Sequence, residues 1–200
     1  MKKSIFGLAF GVLALSGIQM TAQAAVNLEE GKVAFDTCRG CHSSPGYSNA
    51  YPTFYVPKVG GQRAAYIASA LQAYKEQKRP HGTMKANANG LTDKTIENIA
   101  AYLEASKASP SASPADGDAV KGKELAQTCL GCHAEGPDAG PAIPRLAGQY
   151  GNYLVKAMKE YQSGKRNNAL MQSMVKDLSD NDLTDLSAYF ASLKGLVTAE

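Results

Sequence analysis

The four cysteines and two of the three histidines of this 200-residue chain form one short motif twice. The two copies are Cys38-x-x-Cys41-His42 and Cys129-x-x-Cys132-His133. Two thiols at this spacing can form thioether bonds to the two vinyl groups of a porphyrin, and the adjacent imidazole then lies beneath the iron as its proximal ligand. The motif therefore predicts two covalently bound haem c groups per chain, with His42 and His133 as iron ligands.

Other uses of paired cysteines explain the motif less well. Disulfides are the usual role of cysteine in an exported chain, but here every cysteine stands in a C-x-x-C pair that histidine follows at once. A redox dithiol does not require that histidine and normally accompanies a βαβ pattern, whereas the surrounding pattern here is helical. A zinc ribbon pairs its C-x-x-C motifs about 15–20 residues apart. These two are separated by 91 residues, from Cys38 to Cys129.

The iron needs a second axial ligand, and one methionine of each copy stands at a matching place. The segment YKEQKRPHGTM ends at Met84 and the segment YQSGKRNNALM ends at Met171, an offset of 87 residues. An isolated methionine is more often core filling, but the shared position favours Met84 and Met171 as axial ligands. Two alternatives stay open: Met174 for the second haem, and His81, expected on an exposed loop, for the first.

The repeat extends beyond these segments and indicates a duplicated small domain. Pro57 matches Pro144 at the same offset of 87 residues, while the cysteine motifs are 91 residues apart, so the first copy has four extra residues between motif and proline. The stretch ASPSASPAD at 108–116 is typical of an exposed, fairly stiff linker. The predicted boundaries are a signal peptide at 1–24, a first domain at 25–107, the linker at 108–116 and a second domain at 117–200.

Apolar side chains recur at i, i+3, i+4 and i+7 in both copies, which predicts an all-α fold. Thr92 and Ser179 stand where the last helix of each copy should begin, and Asp182 completes a capping box with Ser179. Each copy has about 85 residues, a size at which a hydrophobic core is marginal without further stabilisation. A buried haem would supply the missing apolar mass. The side chains expected on the buried faces include Ile67, Leu71, Ile96, Ile99, Leu103, Leu154, Met158, Leu183, Leu186 and Phe190.

The first 24 residues have the pattern of a secretory signal. Lys2 and Lys3 precede an apolar run from Ile5 to Ile18, and an A-x-A cleavage site ends at Ala24. The run is shorter than the roughly 20 residues of a membrane-spanning helix. The pattern therefore predicts export to the periplasm, with cleavage near Ala24. The formal charge of the whole chain is only +3 and no basic run occurs, so nucleic-acid binding is not expected.

Taken together, the pattern resembles the dihaem cytochromes of the c4 type, which are built from two class I cytochrome c domains. The resemblance rests on CRGCH and CLGCH, on VPKVGGQ and IPRLAGQ, and on MKANANGLTD and MQSMVKDLSD. It implies two tandem domains, each wrapped around one covalently bound haem, with Met84 and Met171 as axial ligands. It also implies that the carbonyls of Pro57 and Pro144 accept hydrogen bonds from the haem-ligating histidines, and that the domains pack about a pseudo-twofold axis.

The same resemblance implies a periplasmic electron carrier that exchanges electrons with redox proteins of a respiratory chain and feeds a terminal oxidase. Some members of the family associate loosely with the membrane. An iron with histidine and methionine ligands has both axial sites taken, so it can change oxidation state without opening a site for a small-molecule substrate. The sequence therefore favours a carrier that is not an enzyme. The alternative is the electron-accepting haem subunit of a periplasmic redox enzyme, for example in sulfur-compound oxidation.

Two features stay open at the level of sequence. The longer loop of the first copy carries several aromatic residues, which either form a docking surface or shield the first haem from water. Six basic residues could neutralise haem propionates or could simply be solvated surface charges. The aromatic residues are Tyr47, Tyr51, Phe54 and Tyr55, and the basic residues are Lys58, Lys78, Arg79, Arg145, Lys165 and Arg166.

Overall fold

The computed structural model describes residues 25–50, 53–106, 112–133 and 140–199. The predicted signal peptide and Tyr51 lie outside these ranges. The described residues form nine α-helices and only isolated β-bridges, which confirms the all-α fold class. The helices are α1 (Leu28–His42), α2 (Ala64–Lys75), α3 (Gly82–Asn89), α4 (Asp93–Ala105), α5 (Ala119–Leu125), α6 (Gln127–His133), α7 (Gly151–Gln162), α8 (Ala169–Val175) and α9 (Asp180–Ser192). Across the described ranges, no helix has both the length and the apolarity to cross a bilayer.

The start of the last helix in each copy is set by the side chains that the sequence predicted. The Thr92 hydroxyl accepts from the backbone N–H of Thr95 at 3.1 Å, and the Ser179 hydroxyl accepts from the N–H of Asp182 at 3.2 Å. The Asp182 carboxylate in turn accepts from the backbone N–H of Ser179 at 2.9 Å, which confirms the capping box. These bonds satisfy backbone donors that have no partner within the helix.

Helices α1–α4 pack on one another as one group, and helices α5–α9 pack as a second. In each group the first helix crosses the last at a glycine, because a β-carbon at Gly31 would overlap the backbone of Asn98 and one at Gly122 would overlap the backbone of Asp185. Only glycine allows this close approach of two helix backbones. Each group encloses its own core. The first contains Phe35, Ile67, Ile99, Ala100 and Leu103, and the second contains Ala126, Leu154, Leu186 and Phe190.

The contact between the groups, which we call the seam, has a twofold pattern of hydrogen bonds. The Gln149 side chain accepts from the backbone N–H of Lys58 and donates to its carbonyl, both at 2.9 Å. The Gln62 side chain does the same with the backbone of Arg145, at 2.9 and 3.0 Å. The two sets of bonds correspond to each other through the repeat, because Gln62 matches Gln149 and Lys58 matches Arg145 at the offset of 87 residues. The two domains therefore pack about a pseudo-twofold axis, as the resemblance implied.

Residues 195–199 break this symmetry, because they leave the second domain and end in the core of the first. The N–H of Leu196 donates to the carbonyl of Ala147 at 2.8 Å, and Val197 then exchanges two backbone hydrogen bonds of 3.0 Å with Gly60. Ala199 is fully buried in the hydrophobic cluster of the first domain. This tail segment thus connects the core of one domain to the backbone of the other.

The long loop of the first domain crosses the seam in the opposite direction. Ser48 and Tyr55 form an isolated antiparallel bridge, and the Tyr55 ring lies 4.9 Å from the ring of Tyr150. Phe54 is buried, with the Lys156 ammonium 4.6 Å from the centre of its ring. Phe54 and Tyr55 therefore contribute to the contact between the domains, a role that their sequence pattern did not indicate.

Candidate haem sites

The two motif histidines end helices α1 and α6, and each is oriented by a proline carbonyl. His42 Nδ1 lies 2.9 Å from the carbonyl oxygen of Pro57, and His133 Nδ1 lies 2.8 Å from that of Pro144. These hydrogen bonds confirm the predicted contacts. Since a carbonyl only accepts, Nδ1 must carry the proton, and Nε2 is left with a lone pair for a metal. Burial lowers the pKa of both imidazoles, against the smaller opposing effect of the carbonyl, which favours the neutral form that binds a metal.

The motif cysteines lie on the last turns of the same two helices, so each C-x-x-C pair projects from one face. None of the four is joined to another in a disulfide. Burial raises the pKa of the Cys38 and Cys129 thiols, which keeps them protonated at neutral pH. Among the described residues, no three histidine, cysteine or acidic side chains come together as a metal-binding group. The zinc alternative therefore gains no support from this part of the chain.

Met84 and Met171 occupy the same position on the third residue of a helix. The His81 side chain caps α3 and accepts from the backbone N–H of Met84 at 3.3 Å. The Asn168 side chain caps α8 and accepts from the N–H of Met171 at 3.0 Å. Both methionines are partly buried, whereas Met174 is 42% exposed one turn further on. The structure thus gives Met84 and Met171, but not Met174, equivalent surroundings.

His81 differs from the sequence expectation. It is a partly buried N-cap rather than an exposed loop residue, and its ring makes a T-shaped contact with the Tyr74 ring at a centroid distance of 6.1 Å. Its repeat partner Asn168 has the same capping role. The capping role of His81 was predictable from the repeat. Asparagine is a preferred N-cap residue, and His81 stands at the position that matches Asn168.

The six basic residues fall into different classes. Lys78 and Lys165 are exposed and pair with Glu76 at 2.6 Å and with Glu160 at 3.9 Å. Three of the others meet the opposite domain at the seam, namely Lys58, Arg79 and Arg145. Arg166 is buried within its own domain, where it donates to the Tyr153 hydroxyl at 3.3 Å, and Arg79 of the first domain donates to the same oxygen at 2.8 Å.

These residues fit a haem group in each domain. Two thiols, an imidazole with a free Nε2 and a methionine thioether are the donor set of a c-type haem with histidine and methionine ligands. Arg166 adds a buried cation whose Nε has no hydrogen-bond partner among the described residues, which suits the carboxylates of a porphyrin.

A family model described as "Cytochrome c" matches residues 28–107 and again residues 119–194. The chain belongs to the cytochrome c family. It is similar to cytochrome c4 of Pseudomonas aeruginosa, with 31% identity over 93% of this chain and 98% of the relative. It is also similar to the thiosulfate dehydrogenase electron acceptor of Stutzerimonas stutzeri, with 28% identity over 96% of each chain. The solved cytochrome c4 of Acidithiobacillus ferrooxidans matches with a TM-score of 0.69 and 28% identity, over 80% of this chain and 99% of the other.

The protein is therefore a dihaem cytochrome of the c4 type, an electron carrier with one haem c in each of its two cytochrome c domains. The cysteines and histidines of the two C-x-x-C-H motifs had already predicted two haem c groups from the sequence. Sequence reasoning missed Gln62 and Gln149 at the seam, and also Tyr153, whose hydroxyl accepts from Arg79 of the first domain. The two glutamines had a usable signal, since each recurs at the repeat offset beside a glycine in the matching VPKVGGQ and IPRLAGQ segments.

Proposed function

We propose that this cytochrome carries electrons between redox proteins of a respiratory chain in the periplasm and feeds a terminal oxidase. The observation that supports this most directly is the twofold occurrence of one arrangement: a proline carbonyl that orients the motif histidine, with a methionine on the third residue of a capped helix. Two complete sites of one kind suit a protein that only receives and passes on electrons. The predicted leader supports export, although it lies outside the described residues.

Within this proposal each domain supplies one full set of haem-binding residues. The covalent attachment is assigned to Cys38, Cys41, Cys129 and Cys132, and the axial positions to His42, Met84, His133 and Met171. Bound haem iron supplies one-electron redox chemistry, and methionine ligation raises its potential. The chain's own contribution is to hold each imidazole as the correct tautomer through the proline carbonyl and to bring each thioether to it on a capped helix.

The protein is, on this proposal, a carrier and not an enzyme. Protein side chains take both axial positions in each domain, so no position is left for a substrate. The remaining histidine, His81, is engaged as the N-cap of α3. The expected partners are therefore other redox proteins, with at most a loose association with the membrane.

Two measurements test this function. A pyridine haemochrome assay on protein matured in the periplasm should give two c-type haems per polypeptide, both retained in acid acetone. The reduced protein should not bind carbon monoxide at neutral pH, because neither iron has an open site. One haem per chain, or ready binding of carbon monoxide, would contradict the proposed ligand set.

A second candidate function is the electron-accepting subunit of a sulfur-oxidising enzyme. The similarity to a relative named as a thiosulfate dehydrogenase electron acceptor favours this function. The alignment with that relative covers nearly the whole of both chains. A stopped-flow mixture of the oxidised cytochrome with thiosulfate dehydrogenase and thiosulfate distinguishes the two functions. Reduction that needs the dehydrogenase and is much faster than reduction of an unrelated cytochrome supports the accessory role, and equal rates for both cytochromes contradict it.

A further inference from the structure

The two glutamines of the seam bind the opposite domain beside the prolines that orient the motif histidines. Gln149 Oε1 accepts from the N–H of Lys58 at 2.9 Å, and Gln149 Nε2 donates to the Lys58 carbonyl at 2.9 Å. That N–H belongs to the same peptide unit as the carbonyl of Pro57, whose oxygen lies 2.9 Å from His42 Nδ1. Because a peptide unit is planar, a hydrogen bond that fixes its N–H also fixes the direction of its carbonyl. A glutamine of the second domain therefore holds the group that orients the histidine of the first.

The same chain of hydrogen bonds occurs with the domains exchanged. Gln62 Oε1 accepts from the N–H of Arg145 at 2.9 Å, and Gln62 Nε2 donates to the Arg145 carbonyl at 3.0 Å. This N–H shares its peptide unit with the carbonyl of Pro144, whose oxygen lies 2.8 Å from His133 Nδ1. Each motif histidine is thus connected, through a single peptide unit, to a side chain of the other domain.

Both glutamine side chains are also held by their own domains. Gln149 is 3% exposed and Gln62 is 5% exposed. The Oε1 atom of each accepts a second hydrogen bond from the backbone N–H of the next residue, at 3.0 Å from Tyr150 and at 2.9 Å from Arg63. Both lone pairs of each oxygen are therefore in use, and a buried polar network whose members are satisfied is rigid. Such a side chain transmits the position of one domain to the backbone of the other.

We infer that Gln62 and Gln149 are positioning residues, each of which sets the reduction potential of the haem in the opposite domain. These roles rest on the proposed function, because they require His42 and His133 to be the proximal ligands. The hydrogen bond from Nδ1 to the proline carbonyl makes the imidazole a stronger donor to the iron. A stronger donor stabilises the oxidised iron, which carries the higher positive charge, and so lowers the potential. A glutamine that holds the carbonyl in line keeps this bond short.

The crossed pattern of potentials is tested in a redox titration of the holoprotein. Gln149→Met removes the amide with little change in volume, so the wave of the first haem should move to higher potential while that of the second stays in place. We expect about a threefold change in the ratio of reduced to oxidised haem at a fixed potential, which is about 28 mV for one electron. Gln62→Met should give the reverse pattern. The wave that Met171→Ala lowers identifies the second haem. Any other pattern, including no shift, overturns the inference.

A milder variant decides the outcome if Gln149→Met does not fold. Gln149→Asn keeps an amide that is one methylene shorter, so it holds the Lys58 backbone less closely without placing an apolar group against it. The first wave should move in the same direction as in Gln149→Met, and by less. An unchanged first wave, or a shift in the second wave alone, would contradict the role of Gln149.

Tyr150→Phe is the control for a general loosening of the seam. The Tyr150 hydroxyl accepts from the backbone N–H of Gly46 at 3.0 Å, so it also joins a side chain of the second domain to the backbone of the first. Its loss should lower the denaturant midpoint but leave both potentials in place, because the peptide unit between Pro57 and Lys58 is untouched. If Tyr150→Phe moves the first wave as far as Gln149→Met does, the positioning role is overturned.

The histidine rings give a readout that is independent of the potentials. The chain has only three histidines, so isotope labelling of histidine nitrogen allows each ring to be followed by NMR. The His42 Nδ1 proton should exchange faster with water in Gln149→Met, and the His133 Nδ1 proton should do so in Gln62→Met. Two haems with intact near-infrared Met–iron bands but with unchanged exchange and potentials overturn the positioning role and leave the carrier function standing. Fewer than two haems in the parent protein would instead contradict the proposed function itself.

Discussion

His42 and His133 are the proposed proximal ligands of the two haems, and a backbone carbonyl orients the imidazole of each. Pro57 and Pro144 lack an N–H, so they cannot join a regular ladder of hydrogen bonds, and their carbonyls remain available to the histidines at 2.9 and 2.8 Å. The ring orientation is thus fixed by a loop rather than by the helix that carries the histidine.

At the same scale, the choice between Met171 and Met174 can be tested directly. We predict that Met171→Ala abolishes the near-infrared Met–iron band of one haem and lowers its potential, because the thioether ligand is lost. Met174→Ala should leave both haems nearly unchanged, since Met174 is 42% exposed and its repeat partner is Asn87. Near-infrared spectra and a redox titration of both variants decide the assignment. The opposite pattern would transfer the ligand to Met174.

At the scale of the helices, the crossings of α1 with α4 and of α5 with α9 each require a glycine, which has no side chain at the point of contact. Gly31 and Gly122 lie against the backbone carbonyls of Asn98 and Asp185, which are repeat partners. Asn98 and Asp185 also hold the segments before the crossing helices, since their side chains accept from the backbone N–H groups of Asn27 at 2.9 Å and Asp118 at 2.7 Å. The same contact has therefore been kept in both copies.

The close crossing of α5 and α9 predicts that a methyl group added at Gly122 lowers the free energy of unfolding. Gly122→Ala should destabilise the second domain by about 1–3 kcal/mol, because the added carbon meets backbone rather than a movable side chain. Gly90→Ala is the control, since a β-carbon there meets nothing within 4 Å. Denaturant unfolding of both variants, followed by the haem absorbance, measures the difference. A Gly122→Ala midpoint equal to that of Gly90→Ala would contradict the close crossing.

Across the whole molecule, two asymmetric extensions reinforce a symmetric seam. The hairpin around Phe54 and Tyr55 extends from the first domain to the second, and the segment 195–199 extends from the second to the first. The paired glutamines between them contribute the same bonds in both directions. The relative position of the two haem-binding domains is thus set at three places rather than by the linker alone.

The segment 195–199 follows the second domain in sequence but packs on the first, so a substitution in it should destabilise the first domain. Ala199→Asp should destabilise the first domain by several kcal/mol, although the residue follows the second domain in sequence, because it would place an unpaired carboxylate in a buried apolar cluster. Thr198→Asp at the neighbouring, partly exposed position should have a much smaller effect. Unfolding curves that separate the two haems test this. Selective loss of the second domain would contradict the placement of Ala199.

The seam also predicts how the protein responds to alkali. Burial raises the pKa of Tyr74 to about 12 and raises the pKa of Tyr153 and Tyr161 further, against the lowering effect of Arg79. An unfolded tyrosine has a pKa of about 10, so the contribution of these neutral hydroxyls to stability is complete below about pH 10 and is lost as the pH rises from there towards the folded pKa values.

The expected outcome is a denaturant midpoint that is constant to about pH 10 and then falls steeply. Tyr161→Phe removes one titrating group and should reduce the slope by about 1.4 kcal/mol per pH unit. Tyr47, which is 46% exposed, gives the control variant Tyr47→Phe, whose slope should match that of the parent. A parent midpoint that does not change between about pH 10 and pH 12 would show that these hydroxyls are not buried as neutral groups.

The haem chemistry and the repeated architecture of this protein could be predicted from its amino-acid sequence. The C-x-x-C-H motif is local, so its spacing alone specifies haem attachment, and the 87-residue offset singled out Met84 and Met171. Helix starts at Thr92 and Ser179 were predictable for the same reason, because a capping bond spans only three residues.

The contacts between the two copies could not be predicted from the sequence and became visible in the folded chain. The hydrogen bond from Arg79 to the Tyr153 hydroxyl and the entry of Ala199 into the core of the first domain both join residues that are distant in sequence. No local periodicity reports such contacts, since a lysine or arginine has the same pattern whether it is solvated or buried. The physical reason is that a side chain's environment at the seam is created by the packing of two domains, and that packing depends on both copies at once.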